Sequence, residues 1–145
     1  MPPLKLYLYR FFADDSQLAG SMTITGHKLP TWRLENVEAN QMDSSFEQAV
    51  DRLSDLPRLY IEPDGSFVWT GKMDAGAVQA DSDWQLFGML YDVGERLNRI
   101  ELQGCCPLDR WQALCNCVQP DGRLVAYLLD YGCFVKSEDL HVLWS

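Results

Sequence analysis

The sequence predicts an α+β fold: a largely antiparallel sheet of about six or seven strands, two packed amphipathic helices and a short C-terminal helix. Three observations predict it. Leu4, Leu6 and Leu8 alternate with Tyr7, Tyr9 and Phe11, the two-residue period of a strand apolar on both faces. Apolar residues recur at helical spacing in two separate segments. Pro-Asp-Gly occurs at residues 63–65 and 120–122, each time ahead of a β-rich run. A chain of 145 residues, 47% apolar, buries about two thirds of its unfolded surface, enough for one compact domain spanning 1–145.

The elements follow in order. Leu4 to Ala13 reads as a strand covered on both sides, and Asp14 to Gly20 as a polar loop. Ser21 to Thr25 and Thr31 to Leu34 are short strands separated by Gly26 and Pro30. Ser44 and Glu47 have capping-box spacing, and Phe46, Ala49, Val50, Leu53 and Leu56 form one stripe of a helix that Pro57 ends. Arg58 to Glu62 and Phe67 to Thr70 form a hairpin through Pro63-Asp64-Gly65. Gly71 to Asp83 is small, polar and acidic, and reads as a mobile loop. Trp84 to Tyr91 and Arg96 to Gln103 form a second hairpin through residues 92–95. Pro107 takes the first position of a second helix, with Leu108, Trp111, Leu114, Cys115 and Val118 on its stripe. Leu124 to Leu129 is a strand, and Ser137 before Glu138 and Asp139 caps the C-terminal helix. The two Pro-Asp-Gly sites share turn chemistry, and their surroundings are too unlike to be a repeat.

The run MPPLKLYLYRFF is interrupted by Lys5 and Arg10 and does not read as a signal peptide. No uncharged apolar stretch approaches the ~18 residues of a membrane span. The five cysteines then read as reduced thiols of a cytoplasmic protein. No cofactor is implied. The chain contains neither GxxxxGK[ST] nor GxGxxG, and no local signature places a Ser or Cys beside a His. Zinc on Cys105, Cys106, Cys115 and Cys117 meets a geometric objection. Nine helical residues separate Cys106 from Cys115 by roughly 13 Å, against the ~2.3 Å zinc–sulfur distance. Cys106 itself falls at the N-cap of the second helix, where the dipole favours a reactive thiolate.

Two surfaces are candidates for function. In the 84–103 hairpin, pairing Asp92 with Glu95 puts Tyr91, Met89, Phe87, Ile100 and Leu102 on a core face. The other face then sets Gly88 across from Arg99 and Leu86 across from Glu101, with Trp84 as a wall. Trp84, Gly88, Arg99 and Glu101 on one patch suit a small polar ligand, and a register error of one residue inverts both faces. The second surface is electrostatic. Of the net charge of −9, residues 35–83 carry −8, residues 1–34 carry +2 and residues 84–145 carry −3. Glu47, Asp51 and Asp55 on the first helix, with Asp74, Asp81 and Asp83 beyond it, point to steering of a basic partner protein. The same charge argues against nucleic acid and anionic membranes as partners.

The runs LYIEPDGSFVW (residues 59–69) and WQLFGMLYD (residues 84–92) resemble a group of small bacterial proteins with no known activity, a likeness spanning residues 57–145. It implies a bacterial cytoplasmic origin and no chemistry. The function expected from the residues is a non-catalytic, acidic protein-interaction or regulatory module. The alternatives are a small-molecule site, with or without catalysis, near Trp84, Arg99 and Glu101, and a thiol or metal site around Cys105 and Cys106.

Overall fold

The computed structural model describes residues 1–12, 17–72 and 83–145. Among the described residues, nine strands form one antiparallel sheet: β1 (Leu4–Arg10), β2 (Leu18–Ile24), β3 (His27–Trp32), β4 (Leu59–Ile61), β5 (Ser66–Lys72), β6 (Asp83–Val93), β7 (Arg96–Gly104), β8 (Leu124–Leu128) and β9 (Cys133–Lys136). Their order is β2-β3-β9-β8-β1-β7-β6-β5-β4, so β1 lies at the centre and β2 and β4 form the edges. Helices α1 (Phe46–Ser54) and α2 (Leu108–Val118) pack on one face, joined by a 3-10 segment, Ser137–Trp144.

The central position of β1 explains its two apolar faces. Leu4, Leu6 and Leu8 enter the main core under the helices. Tyr9 and Phe11 enter a second cluster on the opposite face with Trp32 and Val125.

The sheet has nine strands, not six or seven. The four-residue β9 is too short to display a period. Strands β2 and β3 are also longer than expected, because Thr25 and Gly26 (φ 46° and 85°) make a two-residue turn between them. Pro30 sits inside β3, opposite Ser21, instead of before it. A proline offers no N–H to a ladder, and β3 meets β9 through a single pair, Trp32 with Phe134.

Both Pro-Asp-Gly turns use the same chemistry. The Asp64 carboxylate accepts from the Ser66 N–H at 2.9 Å, and Asp121 accepts from the Arg123 N–H at 2.9 Å. Asp64 is held below the usual aspartate range by the Ser66 hydroxyl first and then by this N–H, and Asp121 by the Arg123 N–H.

The helices sit where expected, with shifted ends. The capping box of α1 is Ser45 with Gln48, not Ser44 with Glu47. Ser44 is buried and its hydroxyl accepts from Arg52 at 2.6 Å, so the neighbouring serine caps. Pro107 is the N-cap of α2 instead of its first residue, so the helix begins one place later than expected, at Leu108. The C-terminal segment is a 3-10 helix, capped by Lys136 with no side-chain bond, so Ser137 is its first residue and not its cap. Trp144 secures this segment by stacking on Trp111 at 5.9 Å and donating to the Cys106 carbonyl at 2.8 Å. The loop expected over Gly71–Asp83 contributes Gly71 and Lys72 to β5 and Asp83 to β6, and residues 73–82 lie outside the described residues.

Candidate functional site

The helices cover one face of the sheet, which makes the other face the place to look for function. Register places its side chains in rows. Met89, Glu101, Tyr7, Tyr127, Phe134 and Trp32 stand side by side across six strands. A second row runs from Tyr60 through Val68 and Phe87 to Gln103 and Lys5. A third sets Tyr91 beside Arg99 and Tyr9.

The two halves of this face differ. Towards β3, Leu34 and Val37 pack over Tyr9, Phe11, Trp32 and Val125. The amide of Asn98 holds that covering segment, donating to the carbonyls of Val37 (3.1 Å), Glu38 (3.3 Å) and Asn40 (2.6 Å). Towards β4 the face is open: Tyr60 is 66% exposed and Phe87 52%, with Val68 half-buried between them and Met89 half-buried beside Phe87 along β6. An apolar surface of this kind on one side of a sheet marks a contact site more often than isolated exposed residues do.

Polar groups in the open half are engaged with one another. The Arg99 guanidinium lies 3.9 Å from the Tyr91 ring centroid and 5.8 Å from that of Tyr7, and it pairs with Glu101 at 3.4 Å. Glu101 also takes a hydrogen bond from the Tyr91 phenol, which pushes that hydroxyl above its ordinary range. Tyr9 is pushed up as well, by burial first and against the opposing charge of Arg99. Beside this group, Lys5, Tyr7, Phe87, Gly88, Met89, Glu101 and Gln103 border an open depression of about 340 Å³. Exposed carboxylates stand at the turn end of the same strands: Glu62, Asp64, Asp92 and Glu95.

The expected ligand patch is divided by the sheet. The β6–β7 turn is Gly94-Glu95, both with positive φ, so Val93 pairs with Arg96. An extra residue, Asn98, then bulges from β7, and Tyr91 pairs with Arg99 and Gly88 with Leu102. Every pair expected between residues 84–92 and 95–103 changes. Arg99 and Glu101 join Tyr91, Met89 and Phe87 on the open face, whereas Trp84 and Leu86 go under the helices with Ile100 and Leu102. Trp84 packs edge-on against Trp69 at 5.5 Å. Gly88 is no vacancy for a ligand, because the Phe67 ring fills it from β5. Gly88 and Glu101 still border one depression, with Arg99 next to it and Trp84 on the far side of the sheet.

Glu47, Asp51 and Asp55 are exposed on α1, on the helix side of the molecule, and Asp83 is exposed at the start of β6. Asp74 and Asp81 lie outside the described residues. Cys106 precedes the N-cap of α2 and is fully buried. Burial first, then Cys105 and Asp109, push its thiol up to about 12, away from the thiolate expected at a helix cap. Burial raises Cys115 as well. Among the described residues, no group of three or more His, Cys, Asp or Glu side chains converges as metal ligands would. No helix among them is long and apolar enough to cross a membrane.

The exposed aromatics Tyr60 and Phe87 escaped the sequence reading. Phe87 fell on the core face because the bulge at Asn98 was not visible, and Tyr60 sat unremarked in a three-residue strand. Gln85, Arg99, Glu101 and Gln103, polar at two-residue spacing, carried the usable signal. Comparison with protein-family models, curated proteins and solved structures gave no match. The likeness read over residues 57–145 finds no support there.

Proposed function

We propose that this chain is a protein-interaction module, with a binding rather than catalytic role, and that its contact surface is the open half of the sheet. One observation carries the reading: Tyr60, Val68, Phe87 and Met89 form a continuous apolar strip on a face that no helix among the described residues covers. Strand backbone holds them rigid, so little ordering entropy is lost when a partner docks. The carboxylates Glu62, Asp64, Asp92 and Glu95 at one end give the partner its chemistry. It presents apolar side chains to the strip and basic ones to this rim. The wider charge of −9 raises its encounter rate at low salt.

The test uses two variants of the full chain as affinity bait: Tyr60→Ser with Phe87→Ser, and Glu47→Gln with Asp51→Asn and Asp55→Asn. The first removes side chains that bury little, so its stability stays within about 0.5 kcal/mol of the parent. It is expected to lose the partner that the parent retains, by about 30-fold or more in affinity, as aromatic anchors do. The second variant is expected to keep that partner, with a slower association rate. If the helix variant loses the partner and the sheet variant keeps it, the contact belongs to α1 and this assignment is wrong.

The depression beside Gly88 and Glu101 supports a second reading, a small-molecule site. Among the described residues its ionic groups are Lys5 and Glu101, and Glu101 is already held by Arg99 and Tyr91.

A further inference from the structure

The helix side of the molecule carries a cleft that the open face of the sheet does not reach. Trp144 pins the C-terminal 3-10 segment to α2, stacking on Trp111 and donating to the Cys106 carbonyl. Between α2 and the start of that segment lies a cleft of about 350 Å³. Trp111, Gln112 and Asn116 line it from the helix, and Ser137, Glu138 and His141 from the segment. The helical period puts Gln112 and Asn116 on adjacent turns, exposed beside the buried stripe that holds Trp111.

The polar groups around this cleft are not engaged with one another. Ser137 is 6% exposed, yet its hydroxyl has no hydrogen-bond partner among the described residues. The amides of Gln112 and Asn116 and the indole N–H of Trp111 have none there either. Buried polar groups are normally satisfied, and an unsatisfied one costs folding free energy, so a partner from outside the chain is favoured at this point. His141 adds an acceptor. Its Nδ1 lies 2.7 Å from the Glu138 carbonyl, which only accepts, so Nδ1 carries the proton and Nε2 of the neutral ring keeps its lone pair.

The chemistry of these groups selects the ligand. Among the described residues no Lys or Arg lines the cleft, which disfavours phosphates and carboxylates. Lys136, next to Ser137 in the chain, turns to the opposite face of the sheet, its Nζ 4.6 Å from the Trp32 ring and 5.2 Å from that of Phe11. Arg123 and Asp121 border a neighbouring depression that shares Glu138. Glu138 is exposed, so water screens its charge and a cation gains little from it. The cleft therefore offers a mixture of neutral donors and acceptors. A hydroxyl both donates and accepts, so a ligand carrying several of them satisfies each group whichever its role. The volume falls at the small end of the ~300–1,000 Å³ range of small-molecule sites.

We infer that this cleft is a binding site for a small neutral polyol of monosaccharide size, held by Gln112, Asn116 and Ser137, with Glu138 and His141 accepting from its hydroxyls. It opens on the helix side, so its occupation leaves the open half of the sheet free.

NMR titration of the isotope-labelled full chain tests this, read at the side-chain amides of Gln112 and Asn116 and at the indole N–H of Trp111. The probes are methyl α-D-glucopyranoside, methyl α-D-mannopyranoside, methyl β-D-galactopyranoside and myo-inositol, with n-butylammonium and butyrate as charged controls. At least one polyol is expected to shift these signals saturably, with a millimolar Kd, and neither control is expected to do so. Ser137→Ala removes only a hydroxyl, and Gln112→Ala with Asn116→Ala changes exposed helix positions where alanine is favoured. Both variants therefore keep the parent's circular-dichroism spectrum. Read at Trp111, the first is expected to bind the polyol about 5-fold more weakly and the second about 10-fold or more. The proposal is overturned if no polyol saturates the signals, or if n-butylammonium binds there at least as tightly. It is equally overturned if both variants bind the polyol as the parent does.

Discussion

At Gly88, the nearest atoms to a built Cβ are three carbons of the Phe67 ring, at 2.0, 2.3 and 2.6 Å. Gly71 stands in the same relation to Trp84, whose ring begins at 2.4 Å. Both are directly paired positions of β5 and β6, so twice in one hairpin a large ring lies over a glycine of the neighbouring strand. The arrangement replaces the side chain a glycine lacks, and it makes the glycine obligatory. Gly88→Ala is expected to destabilise the chain by about 1–3 kcal/mol, as overpacking does, read from the midpoint of urea unfolding. Phe67→Leu added to Gly88→Ala is expected to recover part of the loss. A neutral Gly88→Ala would mean that the ring moves aside freely. The glycine was legible in the sequence as a gap. Its occupant was not, because Phe67 reaches it through a cross-strand register that no local pattern encodes.

At the scale of elements, one residue sets the two faces of the largest hairpin. A side chain's face alternates along a strand, so the extra Asn98 transfers Arg99 and Glu101 to the face of Tyr91. Its own side chain is 1% exposed, and its amide nitrogen serves three carbonyls of the segment covering Trp32 and Tyr9. Asn98→Ala leaves those carbonyls without that donor and is expected to lose about 1–3 kcal/mol. Asn98→Asp is expected to lose at least as much, since a carboxylate would face three carbonyl oxygens. Hydrogen exchange should quicken at residues 37–40 before it does in the sheet core, and equal quickening everywhere would count against this anchoring role. Elements with a strong period or a named turn were readable: β1, both helix stripes and the two Pro-Asp-Gly turns. The bulge was not, because Asn98 bears no local mark distinguishing it from a strand residue. The choice between Ser44 and Ser45 as cap was equally hidden. Both fit the same spacing, and a distant contact with Arg52 decides it.

Across the whole molecule, the central strand is tied to the ends of both helices by one cluster of charges. Arg10, its side chain 14% exposed, leaves β1 to pair with Asp43 ahead of α1 and with Asp121 (3.5 Å) ahead of β8. Gln119, at the end of α2, donates to both carboxylates, at 2.9 and 3.0 Å. Asp43 is held below the usual aspartate range by Arg10 first and then Gln119. Asp121 is held there by the Arg123 N–H first, with Gln119 and Arg10 adding to it. A carboxylate depressed in the folded state binds its proton less readily than in the unfolded chain. Its stabilisation is therefore complete above the unfolded aspartate value of about 3.9 and disappears as pH falls through the folded value. The parent is expected to hold its stability down to about pH 4 and to lose it as pH falls further, read from urea midpoints. Arg10→Gln is expected to be less stable at the upper end and to fall less steeply, because Asp43 then titrates nearer its ordinary value. Parallel acid slopes for the two chains would show that this cluster does not carry the acid sensitivity. The clasp also bears on where the negative charge does its work. Asp43 and Asp121 are committed to holding the helices on the sheet, whereas the exposed carboxylates Glu62, Asp92 and Glu95 at the turn end of the sheet lie outside this cluster. Acid should therefore weaken folding through the clasp, and Arg10→Gln should flatten that acid slope of stability.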